Sequence, residues 1–82
     1  MADRAEVESK VQAILAEQLA VDAEKVVADA RYAEDLNADS LDLVEAVLAL
    51  EEEFGIEVPE EEMDGVKTVG QTVDLVIAKL EG

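Results

Sequence analysis

The sequence predicts an all-α fold: a small bundle of three longer helices plus one short helix, with a long loop between the first helix and the second. Three observations carry this expectation. Apolar residues recur three and four apart in three separate segments, residues with capping spacing stand at the starts of those segments, and nowhere does a sustained apolar–polar alternation suggest a strand.

"RAEVESKVQAILAEQLA" places Val7, Val11, Ile14, Leu15 and Leu19 on one helical stripe, and Asp3 with Glu6 three residues later resembles its cap. "VDAEKVVADARYAEDLNA" follows, with Val21, Val26, Val27, Tyr32 and Leu36 in no regular period. It lacks the Gly, Ser and Pro of a flexible linker, so its apolar residues are expected to pack across the helices, with one short helical turn near Ala23 to Val26. "SLDLVEAVLALEEEF" carries the strongest stripe, Leu43, Val47, Leu50 and Phe54, and Gly55 ends it. After Pro59 the acidic "EEEMDG" is a candidate for a single short helix. Thr68 then opens "TVGQTVDLVIAKL", with a capping-box partner in Gln71 and a stripe of Val69, Val73, Val76, Ile77 and Leu80.

Composition narrows the function. Eighty-two residues, half of them apolar, suffice for one small core and leave no room for a deep catalytic cleft. Cysteine and histidine are both absent, which removes disulfides, thiolate nucleophiles, Cys/His zinc sites and the usual general base near neutral pH. The chain is therefore not expected to be an enzyme.

The formal net charge is −16, and its distribution is uneven. Between Glu34 and Val66 stand thirteen Asp and Glu and no Lys or Arg, whereas the rest of the chain holds nine acids and all six bases. Such a field repels nucleic acid and anionic lipid and favours partners with basic patches. No apolar run reaches the ~18 residues of a membrane span, and no signal-like N-terminus precedes the helices, so a soluble, cytoplasmic monomer without membrane insertion is expected.

The stretch "DLNADSLD", Asp35 to Asp42, permits three readings. As half of a calcium loop it fails, because an EF-hand counted from Asp35 needs Gly and Glu where Ser40 and Ala46 stand. No specific metal site is expected, although crowded carboxylates attract cations diffusely. As a helix start it works well: Asp39 is a good N-cap, and Asp42 in the first turn complements the helix dipole. Beside the core stripe, Leu41, Val44 and Leu48 form a second apolar arc bordered by Glu45 and Glu52. That arc suits a docking surface for a basic partner, or packs beneath the long loop, or divides, with Val44 inward and Leu41 outward. In the third reading Ser40 accepts a covalent phosphate-linked group at the helix N-terminus, where crowding by Asp35, Asp39 and Asp42 disfavours a free phosphate.

"DLNADSLDLVEAVLALEEEFGIEVPEEE", with the flanking helices and "KTVG", resembles the type II acyl carrier proteins over essentially the whole chain, read as a single carrier domain spanning residues 1–82. The resemblance implies that Ser40, the serine of Asp-Ser-Leu, carries 4′-phosphopantetheine transferred from coenzyme A by a phosphopantetheinyl transferase. It implies an acyl carrier of fatty-acid synthesis, bearing acyl chains as thioesters on a thiol that this cysteine-free chain lacks. Asp39, Leu41, Asp42, Glu45, Leu48, Glu51 and Glu52 match positions that meet the transferase and the synthesis enzymes with their basic docking patches. Val44, Val47 and Phe54 match positions near an acyl cavity between helices two, three and four. Two departures stand out. Asn37 replaces a common glycine, though Asn tolerates positive φ, and Ala46 replaces a larger aliphatic, with an expected effect on the second helix's surface or the cavity.

Overall fold

The computed structural model describes residues 3–81. Four α-helices form: α1 (Arg4–Leu19), α2 (Ser40–Phe54), α3 (Glu60–Met63) and α4 (Val69–Glu81), with one 3₁₀ turn at Ala23–Lys25 in the long loop. Helix α1 packs against both α2 and α4. Val7, Val11 and Leu15 of α1 meet Ala46 and Leu50 of α2 and Val69, Val73 and Val76 of α4 in one buried cluster. The apolar stripes thus face inward. Ile14, Leu19, Leu43, Phe54 and Ile77 lie at the edge of the cluster, partly buried, and Leu80 is exposed.

The helix ends follow their local chemistry. Asp3 caps α1 by accepting from the N–H of Ala5 at 3.0 Å, while no return bond from Glu6 forms among the described residues. At the other end Ala20 takes a left-handed conformation, and Val21 and Ala20 donate to the carbonyls of Ala16 and Glu17. That is a Schellman motif with alanine where glycine is usual. Gly55 closes α2 in the same conformation, φ 65°, with Ile56 donating to the Glu51 carbonyl. Ahead of α4, Gln71 Oε1 accepts from the N–H of Lys67 and Thr68, and Thr68 Oγ1 accepts from the Gln71 N–H. This is the expected capping box.

The long loop is ordered because it supplies what its neighbours lack. Val26, Ala30, Tyr32, Leu36 and Ala38 are all buried in the core cluster. The first N–H groups of α4 have no partner within the helix, and here loop carbonyls take them: Val69 donates to Ala30 at 3.0 Å and Gly70 to Ala28 at 2.9 Å. The contact is close enough that a Cβ on Gly70 would stand 3.0 Å from the Ala28 carbonyl oxygen. Below it, the Tyr32 hydroxyl hydrogen-bonds Thr72 Oγ1, which itself donates to the Thr68 carbonyl at 3.4 Å. The loop therefore staples α4 to the entrance of α2.

Ala46 corrects one expectation. It is fully buried in the core rather than on the surface of α2, so its small side chain bears on helix packing and not on the outer face or the groove described below.

Candidate functional site

Residues 35–42 turn their carboxylates onto the backbone. Asp35 Oδ2 accepts from the Arg31 N–H at 2.8 Å, and Asp35 and Leu36 donate to the Arg31 carbonyl. The Arg31 guanidinium lies 2.7 Å from Glu34 and 3.6 Å from Asp35. Asn37 then reverses the chain at φ 54°, the conformation its side chain tolerates best among non-glycine residues. At the start of α2, Asp39 Oδ1 accepts from the Asp42 N–H at 2.9 Å and Asp42 Oδ2 accepts from the Asp39 N–H at 3.2 Å. The cap at Asp39 was legible in the sequence; its reciprocal partner in Asp42 was not, because the pattern has Asp in the place of the usual Glu or Gln. Among the described residues no group of three or more potential ligands is gathered for a metal ion.

The capping box leaves Ser40 unencumbered. It is the first residue of α2 and is exposed, and among the described residues its hydroxyl makes no hydrogen bond. The N–H groups of Ser40 and Leu41 also find no partner there, as expected of a helix's first turn. Such an end presents donors to a phosphodiester held by a covalent bond.

Ser40 stands at the rim of an apolar groove of about 320 Å³. Leu43, Val44, Val47 and Leu48 of α2 form one wall, Val58 and Met63 the other, and Glu51, Glu60 and Asp64 share the rim. No α4 residue lines it, so it lies between α2 and α3 rather than among three helices. Of the three residues expected near an acyl cavity, Val44 and Val47 line this groove, and Phe54 packs against the core cluster at the far end of α2. Leu43, Val58 and Met63 were missed as lining residues. Val58 and Met63 are the apolar residues in an otherwise acidic segment, a signal that pointed to them.

The second arc of α2 is open to solvent. Leu41, Val44 and Leu48 are 65%, 45% and 55% exposed, so none packs beneath the long loop, and Val44 points less inward than expected. Asp39, Glu45 and Glu52 are exposed beside them, and Asp42 is half-buried. Glu51 differs from its neighbours: its Oε2 accepts from the Val58 N–H at 2.8 Å, which commits that oxygen to the fold.

With this geometry in view, the similarity to known proteins is specific. Residues 9–76 match the family model described as the phosphopantetheine attachment site. An acyl carrier protein of Thermosynechococcus vestitus is 55% identical over 78 residues, covering 95% of this chain and 96% of that one. An acyl carrier protein of Rubrobacter xylanophilus is 49% identical over 75 residues, covering 92% and 93%. Among solved structures, an acyl carrier protein from Enterococcus faecalis superposes with a TM-score of 0.76 at 37% identity, covering 95% of this chain and 99% of that one.

Proposed function

The chain belongs to the acyl carrier proteins, which carry acyl groups on phosphopantetheine, and from that premise we propose that Ser40 Oγ is the atom to which its arm is joined. The observation that carries the assignment is the state of that hydroxyl: exposed, free of hydrogen bonds among the described residues, and flanked by carboxylates already closed onto the backbone. In the transfer, Ser40 Oγ forms a bond to the phosphorus next to pantetheine, the pyrophosphate bond of coenzyme A breaks with adenosine 3′,5′-bisphosphate leaving, and the serine proton passes to a base of the transferase. The group supplies a thiol, absent from this chain, on which acyl chains are held as thioesters.

The chain's own residues then do three things. Ser40 and Leu41 offer backbone donors to the phosphodiester. Leu43, Val44, Val47, Val58 and Met63 take in an acyl tail, each methylene buried being worth about 0.8 kcal/mol. Asp39, Leu41, Asp42, Glu45, Leu48 and Glu52 present a strip of apolar side chains edged with carboxylates to fatty-acid synthesis enzymes carrying basic patches. Glu51 serves the same face chiefly by fixing the Val58 backbone. We read the chain as one carrier domain, residues 1–82, working as a monomer in the cytoplasm. No helix of the described residues is long and apolar enough to cross a membrane.

Intact-mass measurement after incubation with coenzyme A and a phosphopantetheinyl transferase tests the assignment. The chain gains the mass of one phosphopantetheine and Ser40→Ala gains none; modification of the alanine variant would place the arm elsewhere.

A further inference from the structure

Helix α3 has little of its own to keep it helical. It is four residues long, three of them Glu, and Pro59 at its N-cap gives no side-chain hydrogen bond. One turn fixes several dihedrals for one backbone bond, and its like charges oppose it further. Yet this turn carries Met63 and the rim residue Glu60 of the groove. Something outside the turn must hold the wall.

Two ties do so. On the α2 side, Glu51 accepts from the Val58 N–H just before the turn. On the α4 side, Lys79 Nζ lies 2.7 Å from Glu62 Oε2, both side chains partly covered at 30% and 39% exposure. Among the described residues this is the one ion pair that joins α3 to another element. From Glu34 to Val66 the chain holds no cation of its own, so the positive charge at α3 arrives from α4.

We infer that Lys79 is a positioning residue for the acyl chain: through Glu62 it holds α3 against the bundle and so sets how closely the groove shuts on its occupant. The inference rests on reading the groove as the acyl site. An exposed ion pair contributes little, but α3 has little stability of its own, and a small bias is enough to change a minor open population several-fold. Lys79 also sits in the last turn of α4, where any cation favours the helix dipole, so the variants must separate the two roles. Glu62→Gln breaks the pair and leaves Lys79 at the helix end.

Amide exchange of residues 60–66 in the unmodified chain tests the tie without reference to cargo. Lys79→Gln and Glu62→Gln each raise exchange roughly threefold to fivefold, the double variant adds little more, and Lys79→Arg stays near the parent. Unchanged exchange in both single variants, or fully additive effects, would overturn the tie. The second arm loads octanoyl or acetyl pantetheine onto Ser40 from the corresponding coenzyme A thioester and measures cleavage by hydroxylamine. In the parent the octanoyl thioester is cleaved more slowly than the acetyl; Lys79→Gln speeds octanoyl cleavage and leaves acetyl cleavage alone. Equal cleavage of the two in the parent overturns the acyl-groove reading. A protected octanoyl group in the parent that stays equally protected in Lys79→Gln leaves that reading standing and overturns the role of Lys79.

Discussion

Among the described residues Ala20 and Asn37 are the two non-glycine residues with positive φ, 56° and 54°, and the physical reasons differ. Asn37 occupies a turn where its short amide tolerates the left-handed region, so Asn37→Gly changes stability by no more than about 0.5 kcal/mol. Ala20 has no such compensation: its Cβ meets the following carbonyl at a position where helices usually end in glycine. Ala20→Gly is therefore expected to stabilise the fold by up to about 1 kcal/mol, measured by urea unfolding, the relieved strain outweighing the extra freedom of glycine when unfolded. A lower urea midpoint would show that Ala20 is not strained. The two residues also mark a limit of sequence reading at this scale. Asn advertises a turn, whereas an alanine in the same conformation is indistinguishable from one inside the helix.

At the scale of elements, the join between the long loop and α4 is where burial and titration meet. Tyr32 is 3% exposed, and burial pushes its hydroxyl up from 10 to about 12. Because the folded value lies above the unfolded one, the folded state holds the proton more tightly. Stability from this group is complete below pH ~10 and is lost as pH rises toward ~12, by about 2–3 kcal/mol over that window. Tyr32→Phe should cost about 1 kcal/mol at neutral pH, because Thr72 keeps its bond to the Thr68 carbonyl, and should lose less stability than the parent between pH 9 and pH 11.5. The two chains differ at this hydroxyl alone, so the difference between them isolates Tyr32; parallel losses would mean that the loop opens before the tyrosine ionises. In this loop Val26, Tyr32 and Leu36 are buried as expected, Val21 is partly buried and Val27 is 51% exposed; the need of its apolar residues for burial was visible in the sequence. Its bonds to α4 were not, because carbonyls that receive the first N–H groups of a distant helix leave no mark in side-chain pattern. The same holds for the groove: α2 announced its stripe, but whether α3 or α4 supplied the opposite wall depended on how Pro59 and Gly55 turn the chain.

For the molecule as a whole, charge acts in opposite directions on folding and on encounter. Of the 22 acids, thirteen lie between Glu34 and Val66 with no cation among them, and among the described residues the ion pairs engage Arg4, Arg31 and Lys79 with Glu8, Asp74, Glu34, Asp35 and Glu62, none of them a residue of the docking strip. The carboxylates along α2 repel one another, which lowers stability, and together they attract a basic partner, which raises its rate of association. Monovalent salt screens both effects over a length of about 10 Å at 0.1 M. Raising NaCl from low to moderate concentration should therefore raise the melting temperature of this chain while lowering its association rate constant with a phosphopantetheinyl transferase by tenfold or more. Glu45→Lys separates the two: exposed on the outer face of α2, it relieves repulsion and leaves helicity and stability intact or slightly improved, yet it places a cation in the strip. Its association should be slower at low salt and fall less steeply as salt is added. Stopped-flow association across a salt series, with thermal melts of the same samples, provides both readouts. If Glu45→Lys keeps the parent's rate and salt slope, the transferase approaches by another face, and the acidity of α2 serves something other than encounter.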